Sequence, residues 1–354
     1  MIRRVAAGAL AAVASAVTLR ALVRRGGDRL LAAPRTMPEE AALGPGLDAL
    51  GGEIVRLRSR DGLQLAARWL PAEGPEAGSD ASVDAWQPDP HDAILVLHGW
   101  SGSSAPDLVE YGPFLRRTAG VLGLDFAGHG GSDDAPTTFG LREVEDVAGA
   151  LAWLGDRGIE RVALAGFSMG GGTALAAVAV LGDGTLPSVD ADAASPVHVA
   201  PERRPRIVAV VADSVAPELA VPIASRLRGP GHARRVIADR LLAAAARTLG
   251  ADPRETEPRR VVGLLENTSL LIISGDADST VPIADARRLA AAAPSGAAHW
   301  IVAGAEHGRA HATDPRGYEA RVTEHLRAAF AFASEPGPII GAPGDRSTPT
   351  PDPA

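Results

Sequence analysis

The chain has 354 residues, 46% of them hydrophobic, which is enough to bury a large domain and too apolar for a disordered polypeptide. Its formal net charge of -8 excludes the broad basic face that general nucleic-acid binding needs. Cysteine is absent, so disulfides, thiolate metal sites and cysteine nucleophiles are ruled out; all 35 Lys+Arg positions are arginine, so arginine clusters are read first as compositional bias.

The chain opens on Arg3 and Arg4, followed by an apolar stretch from Val5 to Leu19 and arginines from Arg20 to Arg29. Residues 1–28 are read as a membrane anchor or signal segment. Continued through Val23 the stretch nearly spans a bilayer, with Arg20 reaching back to the headgroups. A cleaved signal peptide using Ala14-Ser15-Ala16, and a soluble amphipathic helix, are the competing readings. An anchor with its arginines after the span favours a cytoplasmic catalytic domain, whereas a cleaved signal implies secretion.

From Glu53 to Pro71 two alternating runs flank Asp61-Gly62, which predicts an antiparallel hairpin at a sheet edge. After a Pro-rich polar loop come short apolar runs at Ala93–Leu97, Ala119–Asp125, Arg161–Gly166, Arg206–Asp213, Ser269–Asp276 and Ala298–Gly304. Runs of this kind suit strands buried on both faces. Helical spacing lies between them, clearest in Val144, Val147, Leu151 and Leu154 within Gly140–Arg157. The fold class is therefore α/β, a mostly parallel central sheet with helices on both faces. Gly182–Pro205 reads as a surface loop. The stretch 214–268 is too long for a simple crossover and reads as a helical cap insertion, with His232–Gly250 its strongest helix. The main domain is placed at 50–333, and the Pro- and Gly-rich end, 334–354, is expected to be a disordered tail without chemistry.

One polar residue interrupts the apolar, glycine-rich stretch Arg161–Val180: Ser168, within Gly166-Phe167-Ser168-Met169-Gly170. A serine hydroxyl becomes a nucleophile when a base takes its proton and the backbone presents it outward. A tight turn from strand to helix does the presenting and crowds the positions two before and two after, where glycine fits. No lysine follows the glycines and no dinucleotide pattern fits, which disfavours nucleotide binding.

Four further stretches accompany this one: Leu95–Ser103 with His98-Gly99, Leu124–Asp133 with Asp125 and Gly128-His129-Gly130, Ile273–Pro282, and Gly304–Ala310. In that order they resemble the α/β-hydrolase superfamily, in its esterase/lipase or serine-aminopeptidase-like branches, over about Glu53 to Ala333. The resemblance implies the α/β-hydrolase fold with Ser168 as nucleophile, followed in chain order by an acid and a histidine. His307 takes the histidine position, with His311 as runner-up; a metal pair from the two is disfavoured because Gly308 weakens the helix that would align them. Asp278 matches the acid position, with Asp213 and Asp276 as alternatives. The backbone amides of Trp100 and Met169 are the candidate oxyanion hole, each such donor being worth about 3 to 4 kcal/mol in comparable sites. His98 and His129 are assigned structural hydrogen-bonding roles, and the Trp100 side chain is a candidate wall of an acyl pocket.

The expected activity is hydrolysis of a carboxylic ester or thioester through an acyl-enzyme on Ser168, with no cofactor or metal and a small acyl compound as partner. A peptidase, an acyltransferase or cofactor-free peroxidase on the same fold, and a noncatalytic binding protein are the alternatives.

Overall fold

The structure is a computed structural model and describes residues 18, 20–32, 34, 46–74, 86–182 and 204–334. Most of the expected surface loop 182–205, the expected tail beyond Ser334, and residues 1–17 and 19 of the N-terminal segment lie outside the described residues.

The apolar runs form one eight-stranded sheet: β1 (Glu53–Arg58), β2 (Gln64–Leu70), β3 (Asp92–Leu97), β4 (Gly120–Leu124), β5 (Arg161–Phe167), β6 (Arg206–Asp213), β7 (Ser269–Gly275) and β8 (Ala298–Val302). Their order is β1-β2-β4-β3-β5-β6-β7-β8. β1 and β2 are the expected antiparallel hairpin, and β2 joins β4 antiparallel at the edge. Every other pairing is parallel.

Parallel neighbours require crossovers, and the helices that supply them cover both faces. On β3, Ala93, Leu95 and Leu97 point into one core while Ile94 and Val96 point into the other, and all five are buried. The first core is closed by α2 (Glu143–Asp156), α3 (Met169–Leu181) and α6 (Ile283–Ala292) through residues such as Val147, Leu151, Leu175 and Leu289. The second is closed by α1 (Ser104–Leu115) and α7 (Pro315–Ser334) through Leu108, Phe114, Tyr318, Leu326 and Phe330. α2 starts at Glu143, three residues later than its periodicity predicts. Phe139 and Gly140 have positive φ, 58° and 102°, and the Glu143 carboxylate folds back to accept the Thr138 and Gly140 N–H groups at 2.7 and 2.8 Å.

The crossover from β6 to β7 carries the expected helical insertion, α4 (Ala220–Ser225) and α5 (Gly231–Leu249). Ala238 and Leu242 on α5 are buried against Leu219 and Ile223, and Gly250 ends the helix in the left-handed region at φ 71°. Residues 20–31 form a helix that lies beside α5. Among the described residues, no helix is long and apolar enough to cross a membrane.

Candidate active site

The chain runs outward from β3 to β4 and then returns to the other side of β3 with β5, so the strand order reverses between β3 and β5. Loops at the carboxyl ends of strands diverge at such a point and leave a crevice. Trp100 follows β3 and Ser168 follows β5, one on each side of it.

Ser168 sits between the end of β5 and the first turn of α3 with φ 51° and ψ -110°, strained for a residue with a side chain. Crowding at the flanking glycines is direct. A Cβ at Gly166 would lie 2.5 Å from the Gly170 carbonyl oxygen, and one at Gly170 would run into the Leu97 carbonyl. The Ser168 N–H donates to the Asp213 carbonyl at 2.8 Å, fixing the turn to β6.

His307, in the loop after β8, brings Nε2 to 3.0 Å from Ser168 Oγ and Nδ1 to 2.7 Å from Asp278 Oδ2. An ionised carboxylate only accepts, so Nδ1 carries the proton and Nε2 offers its lone pair to the serine hydroxyl. The other Asp278 oxygen accepts the Thr280 and Val281 N–H groups at 2.7 and 2.8 Å. The carboxylate is thus aimed by its own turn, and its side chain is only 2% exposed while that of His307 is 23% exposed.

The alternatives are placed elsewhere. His311 faces Glu110 at 2.9 Å and packs among Tyr111, Phe114 and Tyr318. Asp276 accepts the Gly304 N–H at 2.6 Å and shapes its turn. Asp213 is fully buried at the end of β6, and its carboxylate accepts the Ser214 hydroxyl at 2.8 Å and the Tyr318 hydroxyl at 3.0 Å instead of contacting His307. Burial pushes its pKa up to about 6 against the two hydrogen bonds that favour the charged form. No group of three or more His, Asp or Glu suited to a metal occurs among the described residues.

Trp100 and Met169 flank the serine: Met169 is the first residue of α3, and a Cβ on Gly99 would lie 3.7 Å from Ser168 Cβ. The Met169 amide belongs to the helix's unpaired first turn, where partial positive charge gathers. The Trp100 ring is half-buried against the core, with the Arg226 guanidinium of the insertion 5.8 Å from its centroid. His98 and His129 are buried in the turns of their motifs. His98 Nε2 accepts the Phe126 N–H at 3.1 Å and Nδ1 lies 2.8 Å from the Gly99 carbonyl, and burial pushes its pKa down to about 4. Asp125 accepts the Ser104 N–H, the Ser104 hydroxyl and the Gly131 N–H, joining the two loops.

Sequence reading missed the brace behind His307. Ser214 Oγ accepts the Gly308 N–H at 3.0 Å while its hydroxyl donates to Asp213, and Tyr318 holds the other side of that carboxylate. A signal was available: the chain has only two tyrosines, Tyr111 and Tyr318, and their rings lie 5.8 Å apart in this region.

A sequence profile of the alpha/beta hydrolase family matches residues 94–321. No curated protein matches the sequence. Among solved structures, an esterase of Pyrococcus furiosus superimposes with a TM-score of 0.56 at 18% identity, over 84% of this chain and 98% of that one. The alpha/beta hydrolase GrgF of Penicillium sp. sh18 gives 0.54 at 18% identity, over 80% and 100%. A hydrolase of Pseudomonas aeruginosa PA01 gives 0.50 at 20% identity, over 78% and 99%.

Proposed function

This chain belongs to the alpha/beta hydrolase family, and on that premise we propose that it is a serine hydrolase cleaving carboxylic esters or thioesters. The observation that carries the reading is the continuous contact from Ser168 Oγ through the His307 ring to Asp278, with the serine on a strained turn.

In this reading Ser168 Oγ attacks the acyl carbon while its proton passes to His307 Nε2. The carbonyl electron pair moves onto oxygen, where the Trp100 and Met169 amides stabilise it. Collapse breaks the bond to the leaving oxygen or sulfur, which takes the proton from Nε2. His307 then removes a proton from water, the hydroxide attacks the Ser168 ester, and the acid departs as the serine recovers its proton. Asp278 keeps the ring in the productive tautomer and stabilises its charged form throughout.

The test is turnover of p-nitrophenyl esters and matching thioesters of graded acyl length. Saturable hydrolysis that Ser168→Ala and His307→Ala each abolish is expected. Turnover unaffected by Ser168→Ala, or no turnover of any ester or thioester by the folded protein, would refute the reading.

A further inference from the structure

Two surface hollows, of about 970 and 1410 Å³, lie away from Ser168, His307 and Asp278. The first opens between α5 and the helix of residues 20–31, and its lining includes Arg20, Val23 and Arg24 from one helix and Arg240, Ala243 and Arg247 from the other. Its floor is a close backbone approach: a Cβ on buried Gly27 would lie 2.8 Å from Ala244 Cβ and 2.9 Å from the Ala245 nitrogen. The Thr248 hydroxyl donates to Asp28 at 3.0 Å, and the Thr137 N–H donates to the Leu31 carbonyl at 2.8 Å, so this end of the helix is pinned to the body.

Arginine abundance is compositional in this chain; what sets these four apart is that they line one hollow with no carboxylate in its lining, whereas Arg235, Arg259 and Arg288 converge on Glu218, and Arg161 on Asp89 and Asp92. Arg20, Arg24, Arg240 and Arg247 are exposed around one hollow, and among the described residues none forms a salt bridge. The one carboxylate at the closed end, Asp28, is engaged by Thr248. Four guanidinium groups sharing a hollow on a chain of net charge -8 repel one another until an anion joins them, and their forked donors match phosphate oxygens.

Apolar side chains share the hollow's lining, Val23 from one helix and Ala243 and Ala244 from the other. The same two helices carry further exposed apolar side chains: Leu22 is 59% exposed, Val236 37% and Ile237 42%. In sequence, Arg20 directly follows the apolar stretch Val5–Leu19. A free phosphate in water needs no apolar border, whereas a bilayer surface presents headgroup phosphate above hydrocarbon.

We propose that the arginine-lined hollow between the helix of residues 20–31 and α5 binds the headgroup phosphate of an anionic phospholipid, seating this face on an anionic bilayer. The site is independent of the reaction assigned to Ser168, and it adds a second contact beyond any anchoring by the N-terminal segment.

The full chain is tested by flotation with phosphatidylcholine vesicles, with and without phosphatidylglycerol. A preference for the anionic vesicles is expected, reduced about tenfold or more in Arg240→Gln/Arg247→Gln. Both changes lie far in sequence from the apolar segment and at exposed positions, so an unchanged melting temperature accompanies the loss. Gly27→Leu, which keeps every arginine but forces the helices apart, is expected to lose the preference as well. An anionic preference unchanged in the double variant would overturn the proposal. So would soluble glycerol phosphate binding the hollow while the vesicles show no anionic preference, since the site would then serve a dissolved phosphate ester.

Discussion

At the scale of single residues, the proposed reactivity rests on which carboxylate faces His307. Asp278→Asn should lower kcat on a good ester by roughly 10³- to 10⁴-fold, because the amide turns the ring toward the wrong tautomer. Asp213→Asn should cost far less, since that carboxylate touches Ser214 and Tyr318 and not the ring; the reverse order in steady-state turnover would move the acid to β6. Gly170→Ala should destabilise the fold by at least about 2 kcal/mol in chemical denaturation, because its methyl would run into the backbone carbonyls of Leu97 and His98, which cannot swing aside as a side chain could. Ser168, Asp278 and His307 were legible because each stands in a short local pattern of turn residues. The brace was not: Tyr318 and Asp213 are 105 residues apart, and their contact exists only once α7 packs under the sheet.

At the scale of elements, the buried parallel strands were readable from continuous apolar runs, and their ends shifted by only a residue or two. The helical insertion was readable as existing, through α5, but not how it is held. One attachment is Glu218, where Arg235 from α5 meets Arg259 and Arg288, partners that nothing in local sequence pairs. The Glu218 side chain is 15% exposed, but its partners Arg235, Arg259 and Arg288 are 36%, 57% and 45% exposed, so Glu218→Gln leaves three guanidinium groups facing one another with water screening them. The variant should lose about 1 kcal/mol of stability. Arg226, directly after α4, borders Trp100 beside the serine, so KM should rise more than kcat falls. A variant as stable as the parent, with unchanged KM, would show that the insertion is held by its apolar contacts alone.

For the whole molecule, pH acts on stability through groups buried on opposite sides of neutrality. Burial holds His98 neutral, with a folded pKa of about 4 against about 6.5 in the unfolded chain. Its contribution is complete above the unfolded value and lost as pH falls toward 4, a drop of roughly 3 kcal/mol. Asp107 moves the other way. Burial first, then the charges of Glu110, Asp125 and Asp213, push it up to about 8, so the fold favours its protonated form and loses stability as pH rises from about 4 to 8. One Asp107 oxygen is buried without a hydrogen-bond partner. Asp107→Asn should therefore gain stability relative to the parent across that interval, by roughly 2 to 4 kcal/mol at its upper end. Parallel denaturation curves at both ends would contradict this. The central claim, an activated nucleophile at Ser168, is tested most directly by incubating the folded protein with a fluorophosphonate and mapping the adduct by mass spectrometry. One adduct per chain on Ser168, absent from Ser168→Ala and slowed in His307→Ala, is the predicted result. An unlabelled Ser168, or labelling that persists in Ser168→Ala at the same stoichiometry, would contradict it.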